Sequence, residues 1–324
     1  MKRLEDIHQL VKDGMASLDW NIAPNGLYDP IAYVLSMGGK RLRPALVLLA
    51  CQLFDERIEK ALYPALGFEV YHNFTLLHDD VMDKADMRRG KPTVHKKWDE
   101  NTAILSGDAM IIKAYQLLAK CDASVFKSVF DAFSEAALGV CEGQQYDMEF
   151  ESRTDVKLTE YLEMIRLKTA VLLAGALKAG ALCGGASEKD ADLIYKYGIG
   201  IGIAFQIKDD LLDVYGDEKK FGKAIGGDIF CNKKTFLLIT ALEKADESSR
   251  KELMAWIAKE QFDRAEKVKA VTAIYDKLDV RTDAEKAMRE YYESAITALD
   301  MIAVSKTVKQ PLYDLAENLL YRED

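Results

Sequence analysis

Two short stretches carry more negative charge than an apolar helix should tolerate. FTLLHDDVMD runs from Phe74 to Asp83 and FQIKDDLLDVYGD from Phe205 to Asp217, and each sets a D-D-x-x-D pattern directly after apolar residues. In a helix, residues four apart share a face and the adjacent residue lies about 100° round the axis. Asp79 therefore stands with Asp83, with Asp80 to one side, and Asp209, Asp213 and Asp210 repeat the arrangement. Like charges at this spacing destabilise a solvated helix by about 0.2–0.5 kcal/mol per pair, and by more when partly buried. A bound cation removes that cost. Oxygen donors without His or Cys favour a hard ion, and a few carboxylates rather than a full cage favour Mg2+, which keeps waters and shares substrate phosphates. One such triad reads equally well as a solvated helix edge; its recurrence on a second apolar helix is what argues for metal.

Basic residues supply the complementary half. MGGKRLRP, Met37 to Pro44, places Lys40, Arg41 and Arg43 at the start of a predicted helix, where the macrodipole favours anions. Arg88 and Arg89 follow the first triad, and Lys219, Lys220, Lys223, Lys233 and Lys234 follow the second. Lys219 and Lys220 read as a solvated face. The rest, taken with the carboxylates, describe a site for two diphosphates, one bridged by Mg2+ and one held by protein cations.

The elements that must position these groups are helical. The chain has 324 residues, 49% of them hydrophobic, enough for a large core, and only six prolines. Alternation of β-branched residues between turn signals is scarce, so the fold class is all-α. Breaks are expected at Asn21 to Asp29, Met37 to Lys40, after Asp86, near Ser152 to Asp155, at Gly184 to Glu188 and through Gly216 to Lys234. None resembles a linker, which predicts one domain over residues 1–324, a bundle of about ten or more helices.

Several function classes are excluded. A formal charge of −9 opposes a nucleic-acid surface. The five cysteines, Cys51, Cys121, Cys141, Cys183 and Cys231, form no C-x-x-C pair, so they suggest neither disulfides nor zinc and fit a cytoplasmic protein with reduced thiols. MKRLEDIHQLVKDG has the period of an amphipathic helix and no signal-peptide core, and Lys178 interrupts the apolar run TAVLLAGALKAGALCGG, which predicts core helix rather than membrane span. The glycines of YGIGIGIAFQ do not make G-x-G-x-x-G and read as close helix packing.

In order and separation, GGKRLRP, HNFTLLHDDVMDKADMRRGKP, LKTA, FQIKDDLLD and GKAIGGD-x4-K-x-T, from about Met37 to Thr235, resemble the trans-isoprenyl diphosphate synthases (polyprenyl synthetases) of short-chain, farnesyl or geranylgeranyl type. The resemblance implies a large antiparallel helical bundle, the two aspartate motifs facing each other across a central cavity, in a homodimer. It implies Mg2+ as cofactor, about three ions per active site. Carried over by position, Asp79, Asp83 and Asp209 are the expected direct ligands, with Asp80 and Asp213 in support. Arg88, Lys168, Lys223 and Lys233 are expected to contact the allylic diphosphate, and Lys40, Arg43, His72 and Arg89 to hold isopentenyl diphosphate. Thr169 and Gln206 are expected beside the forming carbocation. His72 alone would read as a packed core histidine, as His78 and His95 do; its place in the motif changes that reading. The sequence departs from the family pattern at Asn232, where Gly usually precedes the lysine; Asn tolerates the left-handed turn that Gly would supply, but leaves the roles of Lys233 and Lys234 open.

The implied reaction is head-to-tail condensation of isopentenyl diphosphate with a C5 to C15 allylic diphosphate, the released diphosphate taking the proton. Phe74, Thr75 and Tyr71 lie five, four and eight residues before Asp79, where the growing tail would run. A bulky aromatic at the fifth position resembles short-chain enzymes, implying a C15 to C20 product. A class I terpene cyclase also uses aspartate-rich helices but lacks the isopentenyl diphosphate motif. A non-catalytic synthase-like subunit would be expected to have lost one of the charged clusters.

Overall fold

Four helix starts are set by side chains that satisfy the otherwise orphaned N–H groups of a first turn. In the computed structural model, which describes residues 2–216 and 225–321, Asp99 caps helix α6 (Glu100–Leu118) by accepting from the Thr102 amide at 2.9 Å. Thr235 caps α12 (Phe236–Lys244) through the Leu238 amide at 3.3 Å. Asp246 and Asp263 do the same for α13 (Glu247–Ala258) and α14 (Arg264–Lys277), at 2.7 and 2.9 Å.

The chain forms two compact units. The first comprises Met1–Glu135, Gly175–Tyr195 and Ala303–Pro311. Within it α4 (Leu62–Met82) packs on α3 (Leu42–Gln52) and α6, and α1 (Leu4–Ala16) covers α3 and α4. α2 (Asn25–Ser36) lies on α6, and the short α5 (Val94–Lys97) leads into α6. α4 is apolar nearly all round, as a helix surrounded by others must be: Leu66, Phe68, Val70, Tyr71, Phe74 and Leu77 are all buried. Rings continue from it to Phe133 near the start of α7 (Ala123–Ser152), in contacts of 5.3 Å from Tyr71 to Phe74, 5.2 Å from Tyr71 to Phe133 and 5.1 Å from Phe68 to Phe133.

The second unit comprises Ala136–Ala174, Lys196–Ile302 and Leu312–Asp324. Its core joins α8 (Leu158–Ile165), the following π turn (Arg166–Ala170), the end of α10 (Glu188–Tyr215), and α12 to α15 (Val280–Asp300), through Tyr161, Ile165, Ile207, Leu211, Phe236, Leu253 and Tyr275. Tyr197 ties α16 (Lys306–Tyr321) to this core by donating to the Leu312 carbonyl at 2.7 Å.

The expected all-α class holds, with one two-stranded hairpin, β1 (Met87–Arg88) and β2 (Lys91–Pro92), in the break after Asp86. Two details differ from expectation. The Asn21 to Asp29 break is shorter, because Pro24 can sit at the start of α2, where its missing N–H is no loss. The apolar run is longer: α8, the π turn and α9 (Val171–Gly184) continue from Leu158 to Gly184, with an 18-residue window of mean hydropathy 1.4, and 83% of that window is buried inside the protein.

Candidate functional site

In the first unit, the acidic triad occupies the last turn of α4. Asp83 follows the helix with helical dihedrals and returns its N–H to the Asp79 carbonyl at 2.8 Å. This is the negative end of the helix dipole, the worst place for carboxylates and the best for a cation. The three are not equivalent. Asp80 is buried, and the Arg88 guanidinium closes on it, Nε at 2.9 and 2.8 Å from the two oxygens and Nη2 at 2.8 Å from Oδ1. The hairpin β1–β2 holds Arg88 in that place. Asp79 is half-buried and Asp83 exposed, so these two are the more accessible of the triad.

Beside them lies a basic pocket. Gly38, Gly39 and Arg41 all have positive φ, at 80°, 132° and 48°, which folds the chain sharply before α3. Arg89 donates to the Gly38 carbonyl and packs its guanidinium against Gly39, whose φ of 132° is a conformation that side-chain-bearing residues rarely adopt. Arg41 is used internally: it pairs with the buried Glu69 carboxylate and donates to the Leu35 carbonyl at 2.6 Å, while Asn73 donates to Glu69 at 2.9 Å. Lys40 is exposed. Arg43 has a buried Nε with no hydrogen-bond partner among the described residues, and burial pushes its pKa down to about 10. His72 is held well below the usual imidazole range by burial and then by Arg43, Arg89, Arg88 and Arg41. Burial also lowers the Arg89 pKa. Four guanidiniums around an imidazole, only two of them paired with carboxylates among the described residues, Glu69 and Asp80, make a pocket whose donors suit an anion.

In the second unit the other triad closes α10. Asp210 is buried and accepts from the Tyr161 hydroxyl and from the Phe236 amide at 2.8 Å; burial pushes it up to about 7. It anchors the helix to α8 and α12. Asp213 accepts from the Asp228 amide at 3.0 Å, and Asp209 is half-buried. On the π turn, Lys168 donates to Asp147 at 2.5 Å, and the Thr169 hydroxyl donates to Gln206 at 3.3 Å. Asn232 takes the left-handed conformation expected of it, φ 55°. Burial opposes the charge on Lys233, but Asp228, Asp147, Asp210 and Asp209 together outweigh it and raise its pKa. Lys234 turns instead to the Glu151 carbonyl at 3.3 Å, so of the two lysines it is Lys233 that lies among the acids. Lys219, Lys220 and Lys223 lie outside the described residues.

Among the described residues, no three His, Cys, Asp or Glu side chains come together as a ready-made metal cage. Asp80 and Asp210 are the buried members of their triads, and Asp79 and Asp83 in one unit and Asp209 and Asp213 in the other are the more accessible carboxylates. Two carboxylates at the carbonyl end of a helix suit Mg2+ that completes its shell with water and phosphate oxygens.

Sequence reasoning missed Asp147, Glu69 and Tyr161, each of which holds a site residue or its neighbour. Asp147 and Glu69 sit within helical runs without any local pattern; Tyr161 was legible only as core. His78 behaves as expected of a packed histidine, its Nε2 3.0 Å from the Ile104 carbonyl, and His95 is a half-buried ring whose nitrogens have no hydrogen-bond partner among the described residues.

A family model described as polyprenyl synthetase matches residues 24–275. The chain is 39% identical over 282 residues to a geranylgeranyl diphosphate synthase of Sulfolobus acidocaldarius, covering 86% of this chain and 84% of that protein. It is 40% identical over 239 residues to a geranylfarnesyl diphosphate synthase of Natronomonas pharaonis, 68% of this chain and 70% of that one. A crystal structure of a geranylgeranyl pyrophosphate synthase superposes with TM-score 0.94 at 42% identity, covering 100% of both chains.

Two outcomes test this geometry. Arg41→Met removes the ion-pair partner of the buried Glu69 carboxylate and should cost about 3 kcal/mol in urea unfolding, whereas Lys40→Met, at an exposed position, should cost under about 0.5 kcal/mol. Because the His72 pKa is lower folded than unfolded, the unfolded chain binds the extra proton as pH falls below about 6.5. Stability should therefore drop on acidification through that range, and His72→Gln should flatten this part of the profile; an unchanged profile would show that His72 is not held neutral.

Proposed function

Since the chain belongs to the polyprenyl synthetase family and is a prenyl transferase, we propose that it condenses isopentenyl diphosphate head to tail with an allylic diphosphate, giving geranylgeranyl diphosphate as main product. The observation that carries this reading is the basic pocket of the first unit. Arg43 with its unsatisfied buried Nε, neutral His72 and Arg89 on the glycine turn sit near an acidic triad that is itself suited to a metal–diphosphate. A cyclase, which ionises one diphosphate and condenses nothing, has no use for that second anion pocket.

In this reading Lys40, Arg43, His72 and Arg89 hold isopentenyl diphosphate, and Arg88, Lys168, Lys223 and Lys233 contact the allylic diphosphate. Asp79, Asp83, Asp209 and Asp213 would hold Mg2+, with Asp80 fixing Arg88. Mg2+, when bound, supplies Lewis-acid neutralisation of the departing diphosphate. Arg88 and Lys168 each release part of their charge from Asp80 and Asp147 toward the developing anion, which stabilises it as it leaves. The Thr169 hydroxyl and the Gln206 amide oxygen set electron-rich dipoles beside the allylic carbocation. Neutral His72 donates a hydrogen bond to isopentenyl diphosphate without adding charge, and the released diphosphate takes the proton.

Product length is proposed to be set by Phe74, with Tyr71 behind it and Thr75 on the neighbouring face. Phe74 is held between the Tyr71 ring at 5.3 Å and the His78 ring at 4.7 Å, so the blocking ring has little freedom to swing aside. We take residues 1–324 as one functional domain, since the family match runs through both units. A homodimer is supported by the apolar surface of α6, where Ile104, Leu105 and Ile112 are 45%, 60% and 59% exposed. The free state of all five cysteines fits a reducing, cytoplasmic setting.

Incubation with Mg2+, isopentenyl diphosphate and each of the C5, C10 and C15 allylic diphosphates, followed by sizing of the products, tests the assignment. A C20 diphosphate is expected, and chelation of the metal should abolish it. Cyclic hydrocarbon formed without isopentenyl diphosphate would establish a cyclase, and no product from any pair a non-catalytic subunit. Phe74→Ala should shift the main product to C25 or longer; an unaltered distribution would remove Phe74 from its role.

A further inference from the structure

Lys267, on α14, is 1% exposed and makes no ion pair among the described residues. A buried ammonium without a carboxylate needs a specific reason, because burial disfavours its charge and lowers its pKa. Its contacts supply one. Nζ donates to the Asn232 side-chain oxygen at 2.8 Å and to the Phe230 carbonyl at 3.2 Å, and lies 4.2 Å from the centre of the Phe262 ring. Phe230 ends α11 (Gly227–Phe230), so the lysine caps that short helix from outside and at the same time grips the residue after its turn.

The segment so held leads directly to the site. Gly226, before α11, has φ 75° and leaves the space where Val268, next to Lys267 on α14, packs; a Cβ there would lie 2.6 Å from Val268 Cγ1. The Gly226 amide donates to the Asp213 carbonyl at 2.6 Å and the Asp228 amide to the Asp213 carboxylate at 3.0 Å. The Asn232 Nδ2 donates to the Ile257 carbonyl at 3.1 Å. Lys233 follows, its amide bonded to the Asp228 carbonyl at 2.9 Å and its Nζ 4.0 Å from the Asp228 carboxylate. α14 thus fixes both ends of residues 226–232, and Lys233 hangs from the far end. The cavity among Asp228, Asn232, Lys233, Lys267 and Tyr275 is about 10 Å3, roughly one water molecule, so Lys267 does not itself receive a ligand.

We propose that Lys267 is a positioning residue which, through the Asn232 side chain, sets where the Lys233 ammonium stands and so how tightly the allylic diphosphate is held. The inference rests on the function proposed above. Asn232 thereby gains a role beyond its backbone conformation, since a glycine would supply the left-handed turn equally well but would leave Lys267 without its closer acceptor.

Lys267→Met removes both hydrogen bonds at nearly constant length, and Asn232→Gly removes the side-chain acceptor while keeping the turn. With wild type, each variant and the double variant, the KM for the allylic substrate, the KM for isopentenyl diphosphate, kcat, the Kd for inorganic diphosphate with Mg2+, and Tm are measured. The expected result is an increase of about tenfold in the allylic KM and the diphosphate Kd in each single variant, with the isopentenyl diphosphate KM unchanged. The double variant should be no worse than Lys267→Met alone, as for two residues acting in one path, and Lys267→Arg should restore part of the affinity. If folded Asn232→Gly keeps the wild-type allylic KM and diphosphate Kd, or if both substrates' KM values rise together, the proposal is overturned while wild-type turnover leaves the function standing. Wild type that makes no polyprenyl diphosphate overturns both.

Discussion

Carboxylate charge gathered at the carbonyl ends of two core helices is the constraint around which the rest of each unit is arranged. Neither α4 nor α10 could end this way in a purely structural protein without cost, since the helix dipole and the neighbouring aspartates repel one another. Each unit meets part of that cost in the same manner. The second aspartate of the triad is the buried one, Asp80 in the first unit and Asp210 in the second. Each is satisfied by groups brought from elsewhere in the sequence, while the flanking pair stays nearer the surface.

The two solutions differ in their electrostatics. Asp80 meets a full guanidinium, so its charge is balanced in place. Asp210 meets only a phenol and a backbone amide, neither of which carries charge, and burial shifts it toward the neutral acid. In the first unit the surplus then runs the other way: the guanidiniums of Arg43 and Arg89 surround His72 with more positive charge than Glu69 and Asp80 offset.

Much of this was legible in the sequence because it is local. The D-D-x-x-D triads, the glycine turn before Lys40 and the positive-φ position of Asn232 depend on residues within a few places of each other, and the structure has them as read. What was not legible depends on partners distant in sequence. Arg41 looks like one more anion-binding cation until Glu69, 28 residues on, is seen to occupy it. Asp210 is one more carboxylate of the triad by spacing, and what it does instead shows only in Tyr161, 49 residues earlier, which donates to it. Lys267 shows no pattern at all, because its meaning lies in two acceptors more than thirty residues away. Charge type and spacing announce chemistry; which charges remain available is decided by packing.

The π turn at Arg166–Ala170 carries Lys168 and Thr169 at the junction of two regular helices. A single π turn is equivalent to one residue inserted into an α-helix, so everything after it is rotated by about 100° relative to an uninterrupted helix. Removing one residue from this stretch would make the backbone more regular while turning two polar side chains off their partners, Asp147 and Gln206. Over the course of descent the number of residues between Leu158 and Gly184 should thus vary far less than their identities, since substitutions there can be repacked whereas a deletion cannot.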